Sequence, residues 1–343
     1  MTDGPFQVEI AFSDGVEHRL EVAPGETVLD AALKADLPVL YQCRSGSCSS
    51  CLASLTAGEA DTRAGASSTL LASERAEGFR LLCVTEPHGN CRFELGYDSE
   101  AGASRPVEGH AFVNAVERVA ADVVRLELEL AEGCWFDFRP GQFVQVKVPG
   151  TDAMRSYSMS STPGDLPKIE LLIRILPGGV MSEWLTQRAA PDDVVEISGP
   201  YGHFFLREKV RAPHIMIAGG TGLAPMMSMI DSLRGVPGRK PRMLLSFGCQ
   251  SADGLFHLDA LDLRRHWLPT LDLRISVERG GGPEGVRIGN PVAAIGAGET
   301  IDPESVAYLC GPPGMIDAAR RHLEGLGLAP ENIFAEQFTA SGT

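Results

Sequence analysis

No uninterrupted apolar stretch in this 343-residue chain approaches the roughly 20 residues that span a bilayer, so a membrane-embedded protein is not expected. No positively charged and then apolar leader opens it, and the expectation is a cytoplasmic protein without structural disulfides. Base is scarce as well: 30 Lys and Arg stand against 45 Asp and Glu, a formal charge of -15. That balance argues against a nucleic-acid partner, since phosphate binding needs a surplus of cations. Internal repeats and low-complexity tracts are also missing. What remains, with 44% hydrophobic residues, is ordinary globular material long enough for two or three domains.

The acidity is uneven. Residues 1–100 hold 16 Asp/Glu and 7 Lys/Arg, a net of 7 - 16 = -9. This excess serves either solubility or docking on a basic protein face.

Cysteine is sparse, but four of the eight have a telling spacing. Cys43, Cys48 and Cys51 form C-x4-C-x2-C, and Cys83 follows alone. That is the ligand spacing of a plant-type 2Fe-2S cluster, which points to electron transfer. A zinc ribbon would bring a second C-x2-C, and a Rieske centre would bring two histidine ligands; the chain has no C-x-H pair. The small residues of Arg44-Ser45-Gly46-Ser47 let the backbone wrap closely, so that N–H groups meet concentrated negative charge on sulfur. Cys91, Cys134, Cys249 and Cys310 show no framework spacing.

Around this loop the pattern predicts a hairpin of 6–12 and 16–22 turning at Asp14-Gly15, then a helix over 28–36 capped by Thr27. Hairpin, helix and cysteine loop together resemble the plant-type ferredoxin (β-grasp) fold. Residues 1–97 are assigned to that domain. Residues 98–108 lose apolar periodicity and read as a linker. Residues 109–207 hold short β-like runs between Gly/Pro turns, which suggests an antiparallel β-barrel. In 208–343 apolar strands alternate with helices, which predicts a parallel α/β domain.

The barrel carries Arg155-Ser156-Tyr157-Ser158 and, further on, Gly178-Gly179-Val180-Met181-Ser182 running into a helix. These strings resemble the flavin-binding signature of the ferredoxin-NADP reductase superfamily. The resemblance implies FAD: Arg155 against its diphosphate, Tyr157 stacked on the ring, Ser156 and Ile173 in contact, Ser158 near N5, and Gly179, Val180, Met181 and Ser182 at the phosphates. The α/β part holds Gly219-Gly220-Thr221-Gly222-Leu223-Ala224-Pro225, Cys310-Gly311-Pro312 and Glu336-Gln337-Phe338. In the same superfamily such strings bind nicotinamide. Gly220, Thr221, Gly222, Gly311 and Pro312 are thereby expected to hold the coenzyme, Cys310 and Glu336 to lie by the reacting carbons, and Phe338 to cover the flavin. The 248–255 stretch lacks Lys and Arg, which favours NADH over NADPH, although Arg279 could enter from the next strand.

The whole order resembles the three-module reductase component of bacterial aromatic-ring dioxygenases, of the benzoate dioxygenase reductase type. It implies a chain passing electrons from NADH through FAD and a 2Fe-2S cluster to a terminal oxygenase or small ferredoxin. A diiron monooxygenase reductase would show the same modules, and a low-turnover redox relay or sensor is a further reading.

Overall fold

The computed structural model describes residues 4–103, 105–207 and 211–338. Residues up to Pro106 form one compact unit, and those from Val107 onward, apart from Tyr201–His203, form the other.

In the first unit the strands Phe6–Ala11 and Glu17–Val22 pair antiparallel, as the alternating pattern predicts. The Phe12 carbonyl accepts the Gly15 N–H at 3.0 Å, and Gly15 sits at φ +85, where a side chain would be strained. Cys91–Glu94 joins parallel to the first strand, and Leu52–Ala57 and Phe79–Leu81 complete a mixed five-stranded sheet. Across it lies the helix Val28–Lys34, started by Thr27, whose hydroxyl accepts the Asp30 N–H at 3.2 Å. Val28 and Leu29 are fully buried, each worth about 1.5–3 kcal/mol of burial. The helix stops two residues short of the predicted end: Asp36 takes a left-handed φ of +54, which no helix continues through.

The segment on both sides of the predicted 97/98 boundary is packed structure. The Tyr97 hydroxyl accepts the buried Leu40 N–H at 2.9 Å, and the Asp98 carboxylate caps the short turn Ser99–Gly102 through Ala101 N–H, also at 2.9 Å. Asp14 accepts both the N–H (3.0 Å) and the hydroxyl (2.6 Å) of Ser99. At Gly102 a Cβ would lie 1.7 Å from the Pro38 carbonyl oxygen, so only glycine permits the approach. Polar composition concealed this segment because its contacts are hydrogen bonds to distant residues, not apolar periodicity.

The second unit begins with the barrel. Its strands are ordered Met154–Ser158, Phe143–Lys147, Val194–Tyr201, Val107–Ala120, Val123–Leu130 and Lys168–Arg174. A bridge between Met159 and Leu171 joins the two ends of that order and closes the sheet. In Val123–Leu130 the residues Leu126, Leu128 and Leu130 point inward while Arg125, Glu127 and Glu129 alternate outward. The helix Val180–Gln187 adds Met181, Trp184 and Leu185 to the same core.

The rest is a wholly parallel six-stranded sheet, ordered Arg287–Ile288, Leu271–Val277, Met243–Cys249, His214–Gly219, Val306–Gly311 and Ile333–Gln337. Chain order runs outward in both directions from between His214–Gly219 and Val306–Gly311. The crevice beyond the carboxyl ends of these two strands is the switch point at which open α/β sheets bind ligands. Among the described residues no helix is long and apolar enough to cross a membrane.

Candidate functional site

The cysteine loop brings its four predicted ligands together. The Cys43 thiol lies within hydrogen-bonding reach of Cys48 and Cys83, and Cys51 within reach of Cys83. Backbone N–H groups aim at these sulfurs: Ser45 and Ser47 at Cys43 (3.4 and 3.3 Å), Cys43 at Cys48 (3.4 Å) and Cys83 at Cys51 (3.4 Å). Among the described residues no three His, Cys, Asp or Glu side chains converge on a point for a single metal ion. A binuclear cluster requires no such point, because each iron takes only two of the four thiolates. Small residues make the wrap possible. A Cβ on Gly46 would stand 2.1 Å from the Ser67 carbonyl oxygen, and Gly46 sits at φ +76. The donor set therefore suits a 2Fe-2S cluster.

On the barrel, the predicted flavin residues lie on the Met154–Ser158 strand. Arg155 is half-buried, with its guanidinium on the Met154 carbonyl (3.0 Å), and Ser156 is exposed. Tyr157 packs against the barrel core, and burial raises its hydroxyl pKa while Arg155 opposes the shift. Ile173 is 1% exposed within that core, so its side chain belongs to packing. Val180, Met181 and Ser182 begin a helix whose cap, Gly179, offers no side-chain acceptor, and the first intrahelical bond runs from Glu183 N–H to the Gly179 carbonyl. Three N–H groups thus face outward, and the space in front of Gly178 is open. That is a fitting cradle for a diphosphate. The Ser182 hydroxyl accepts the Leu176 N–H at 2.8 Å, which fixes its oxygen while its own O–H, like its backbone N–H, can still donate.

At the switch point Gly220–Gly222 forms a single turn that opens the helix Leu223–Ser232. A Cβ on Gly222 would lie 2.2 Å from the Cys310 carbonyl oxygen, so this turn crosses directly over the end of the neighbouring strand. Cys310 is fully buried and pairs in register with Glu336. Phe338 N–H donates to the Gly311 carbonyl at 2.9 Å, and its half-buried ring packs against the α/β core.

Two predicted residues 178 positions apart then meet: the Ser158 hydroxyl donates to Glu336 Oε2 at 2.8 Å. Burial pushes the Glu336 carboxyl up to about 7, with the Ser158 bond pulling the other way. Burial, followed by the charge of Glu336, holds the Cys310 thiol well above its ordinary range, so it stays protonated.

Several neighbours carry no local sequence signal. Ser228, completely buried, donates to the Ser161 carbonyl at 2.6 Å and ties the helix Leu223–Ser232 to the segment that follows the Met154–Ser158 strand. Asp122 holds Arg174 at 2.9 Å. The Arg207 guanidinium lies 4.2 Å from both the Phe205 and Phe334 ring centres, securing the strand that carries Glu336. Arg279 donates to the Gln250 side chain at 3.0 Å, which places a cation beside the end of the Met243–Cys249 strand.

A thiolate loop, a flavin-type barrel and a nicotinamide-type sheet define an electron-transfer oxidoreductase. Family models agree: a 2Fe-2S iron-sulfur cluster binding domain matches residues 11–88, an oxidoreductase FAD-binding domain 110–206, and an oxidoreductase NAD-binding domain 216–321. The toluate 1,2-dioxygenase electron transfer component of Pseudomonas putida is 31% identical over 98% of this chain and 99% of its own. The propane 2-monooxygenase reductase component of Mycolicibacterium smegmatis is 31% identical over 95% and 96%. A crystal structure of a cytochrome P450 reductase from Amycolatopsis superposes with a TM-score of 0.71 at 30% identity, covering 97% of this chain and 99% of that one. The chain belongs to the family of these three-domain flavin and iron-sulfur reductases, within the ferredoxin-NADP reductase superfamily.

Proposed function

We propose that the protein takes electrons from NADH and delivers them singly to an oxygenase that carries its own iron, or to a small ferredoxin serving it. The observation that carries this reading is the Ser158–Glu336 contact, which sets the barrel's flavin strand against the coenzyme crevice. Bound FAD supplies the conversion of a two-electron hydride into single electrons, and the 2Fe-2S cluster supplies the exit.

The residues supply the rest. Arg155 and the N–H groups of Val180, Met181 and Ser182 would neutralise the FAD diphosphate, and Tyr157 would support the ring. Gly220, Thr221 and Gly222 would admit the coenzyme pyrophosphate, with Gly311 and Pro312 shaping the opposite wall. Ser158 Oγ and Glu336 Oε2 form a two-member proton path ending on a carboxyl poised near neutral pH, where exchange in both directions is cheap. Cys310, kept as a neutral thiol, would border the nicotinamide, and Phe338 would cover the flavin until coenzyme arrives. NADH is the preferred donor, because residues 248–255 offer no cation; Arg279, held beside that strand end by Gln250, is the group through which NADPH would be accepted.

Anaerobic NADH should bleach both the flavin and cluster bands of the loaded protein, and NADPH should do so with lower kcat/KM. In Cys48→Ser the flavin band alone should bleach, with ferricyanide reduction retained and reduction of a one-electron protein lost. Equal loss of both activities contradicts the division of labour. Similarity to the propane monooxygenase component equals that to the toluate dioxygenase component, which favours a diiron monooxygenase as the second acceptor class. Coupled turnover with each kind of oxygenase separates the two.

A further inference from the structure

We infer that the rim of the cysteine loop docks an acidic protein surface, although the domain bearing it is acidic as a whole; this rests on reading that loop as the electron exit. The sequence has no Asp or Glu between Asp36 and Glu59, and none between Asp61 and Glu74. The fold places these two carboxylate-free segments side by side. Thr69 N–H donates to the Gly46 carbonyl at 2.9 Å, and the Ser49 and Thr69 hydroxyls lie 3.0 Å apart. The surface around Cys43 is therefore serine-rich, with Arg44 and Arg63 as the only charges those segments contribute.

Lys34, Arg44 and Arg63 line one depression beside the loop, together with Glu26 and Asp30. Each is paired with a carboxylate: Lys34 with Glu26, Arg44 with Asp30, Arg63 with Glu86. The pairs are asymmetric in exposure. The cations are 44–75% exposed, whereas their carboxylates are 15–36% exposed, so an approaching partner meets the positive ends. Part of the acidic charge lies on the hairpin sheet, where Glu9, Glu17 and Glu94 gather around Arg92, while Asp36 and Asp61 flank the two segments. Sparing a cluster from repulsion would require only that carboxylates be absent. Three cations turned outward are a further feature, and they match carboxylates on a partner. Tyr41, 41% exposed and two residues before Cys43, adds an aromatic anchor of the kind interfaces favour.

The test uses the loaded full-length protein and its Lys34→Gln, Arg63→Gln double variant, with acidic cytochrome b5 and basic cytochrome c as probes. In each reduction one electron leaves the cluster and turns ferric haem ferrous, with no proton or further reductant required. The variant should associate with oxidised cytochrome b5 about tenfold more slowly at low salt, the low end of electrostatic steering effects, and bind it more weakly in calorimetry. Wild-type binding should fade as salt rises. Reduction of cytochrome b5 should slow while that of cytochrome c quickens, a divergence that general damage would not produce. Unchanged affinity, absence of salt-sensitive binding, or rates that move together overturn the inference. Slower bleaching of the variant's cluster by NADH also overturns it, because the face would then dock on the chain's own flavin half. Failure of wild-type NADH bleaching counts instead against the function, while calorimetry reads the docking face separately.

Discussion

Glu336→Gln exposes the cost of holding a carboxyl beside Cys310. In the unfolded chain this group titrates near 4.5; in the fold, burial raises it to about 7 against the opposing pull of Ser158. Between those values the folded protein keeps a proton that the unfolded chain has released, so unfolding free energy falls as pH rises. The contribution is fully present below about 4.5 and lost by the time pH has passed about 7. At 1.36 kcal/mol per pKa unit, the span amounts to about 3 kcal/mol. Glutamine keeps the Ser158 partner and cannot ionise. Relative to wild type, the variant should therefore gain about 3 kcal/mol between pH 4 and 8, with other titrating groups cancelling in the difference. All three tryptophans, Trp135, Trp184 and Trp267, lie in the second unit, so their fluorescence during urea unfolding follows the half that holds Glu336. Parallel pH curves for the two proteins would refute the reasoning.

Gly222→Ala places a methyl 2.2 Å from the Cys310 carbonyl oxygen, and the required backbone shift should cost about 1–3 kcal/mol and raise the KM for NADH far more than it slows dithionite reduction of the cluster. A KM at the wild-type value would show that the turn does not shape the coenzyme crevice. Cutting the chain before Val107 should leave a soluble flavin-binding fragment, whereas ending the first unit at Gly96 should destabilise it by about 3–5 kcal/mol relative to a 1–106 fragment, because Tyr97 is only 2% exposed. Equal melting temperatures for the two N-terminal fragments would show that Tyr97 and the turn after it do not hold the first unit together.

What sequence made legible were features whose determinants lie close together along the chain. The C-x4-C-x2-C spacing, the Thr27 cap and the glycine turn at 219–222 each declare themselves within a few residues, because a tight turn or a helix start imposes its chemistry locally. The site's assembly obeys another logic. Ser158 reaches Glu336 only because a Met159–Leu171 bridge closes the barrel and because Val306–Gly311 pairs with Ile333–Gln337 in the register that sets Cys310 opposite Glu336. A one-residue slip in that parallel pairing would turn Glu336 to the opposite face of the sheet and strand Ser158 without an acceptor. The Ser228–Ser161 bond and the Arg207 sandwich stabilise the same junction, and neither leaves a periodic trace in the sequence. Charge behaves likewise: the first unit's average is acidic, yet pairing Arg92 with glutamates on one face and Lys34, Arg44 and Arg63 with recessed carboxylates on another separates the signs. A partner responds to the surface nearest the leaving electron, so the arrangement of those pairs, more than the sum of the charges, determines which protein can approach.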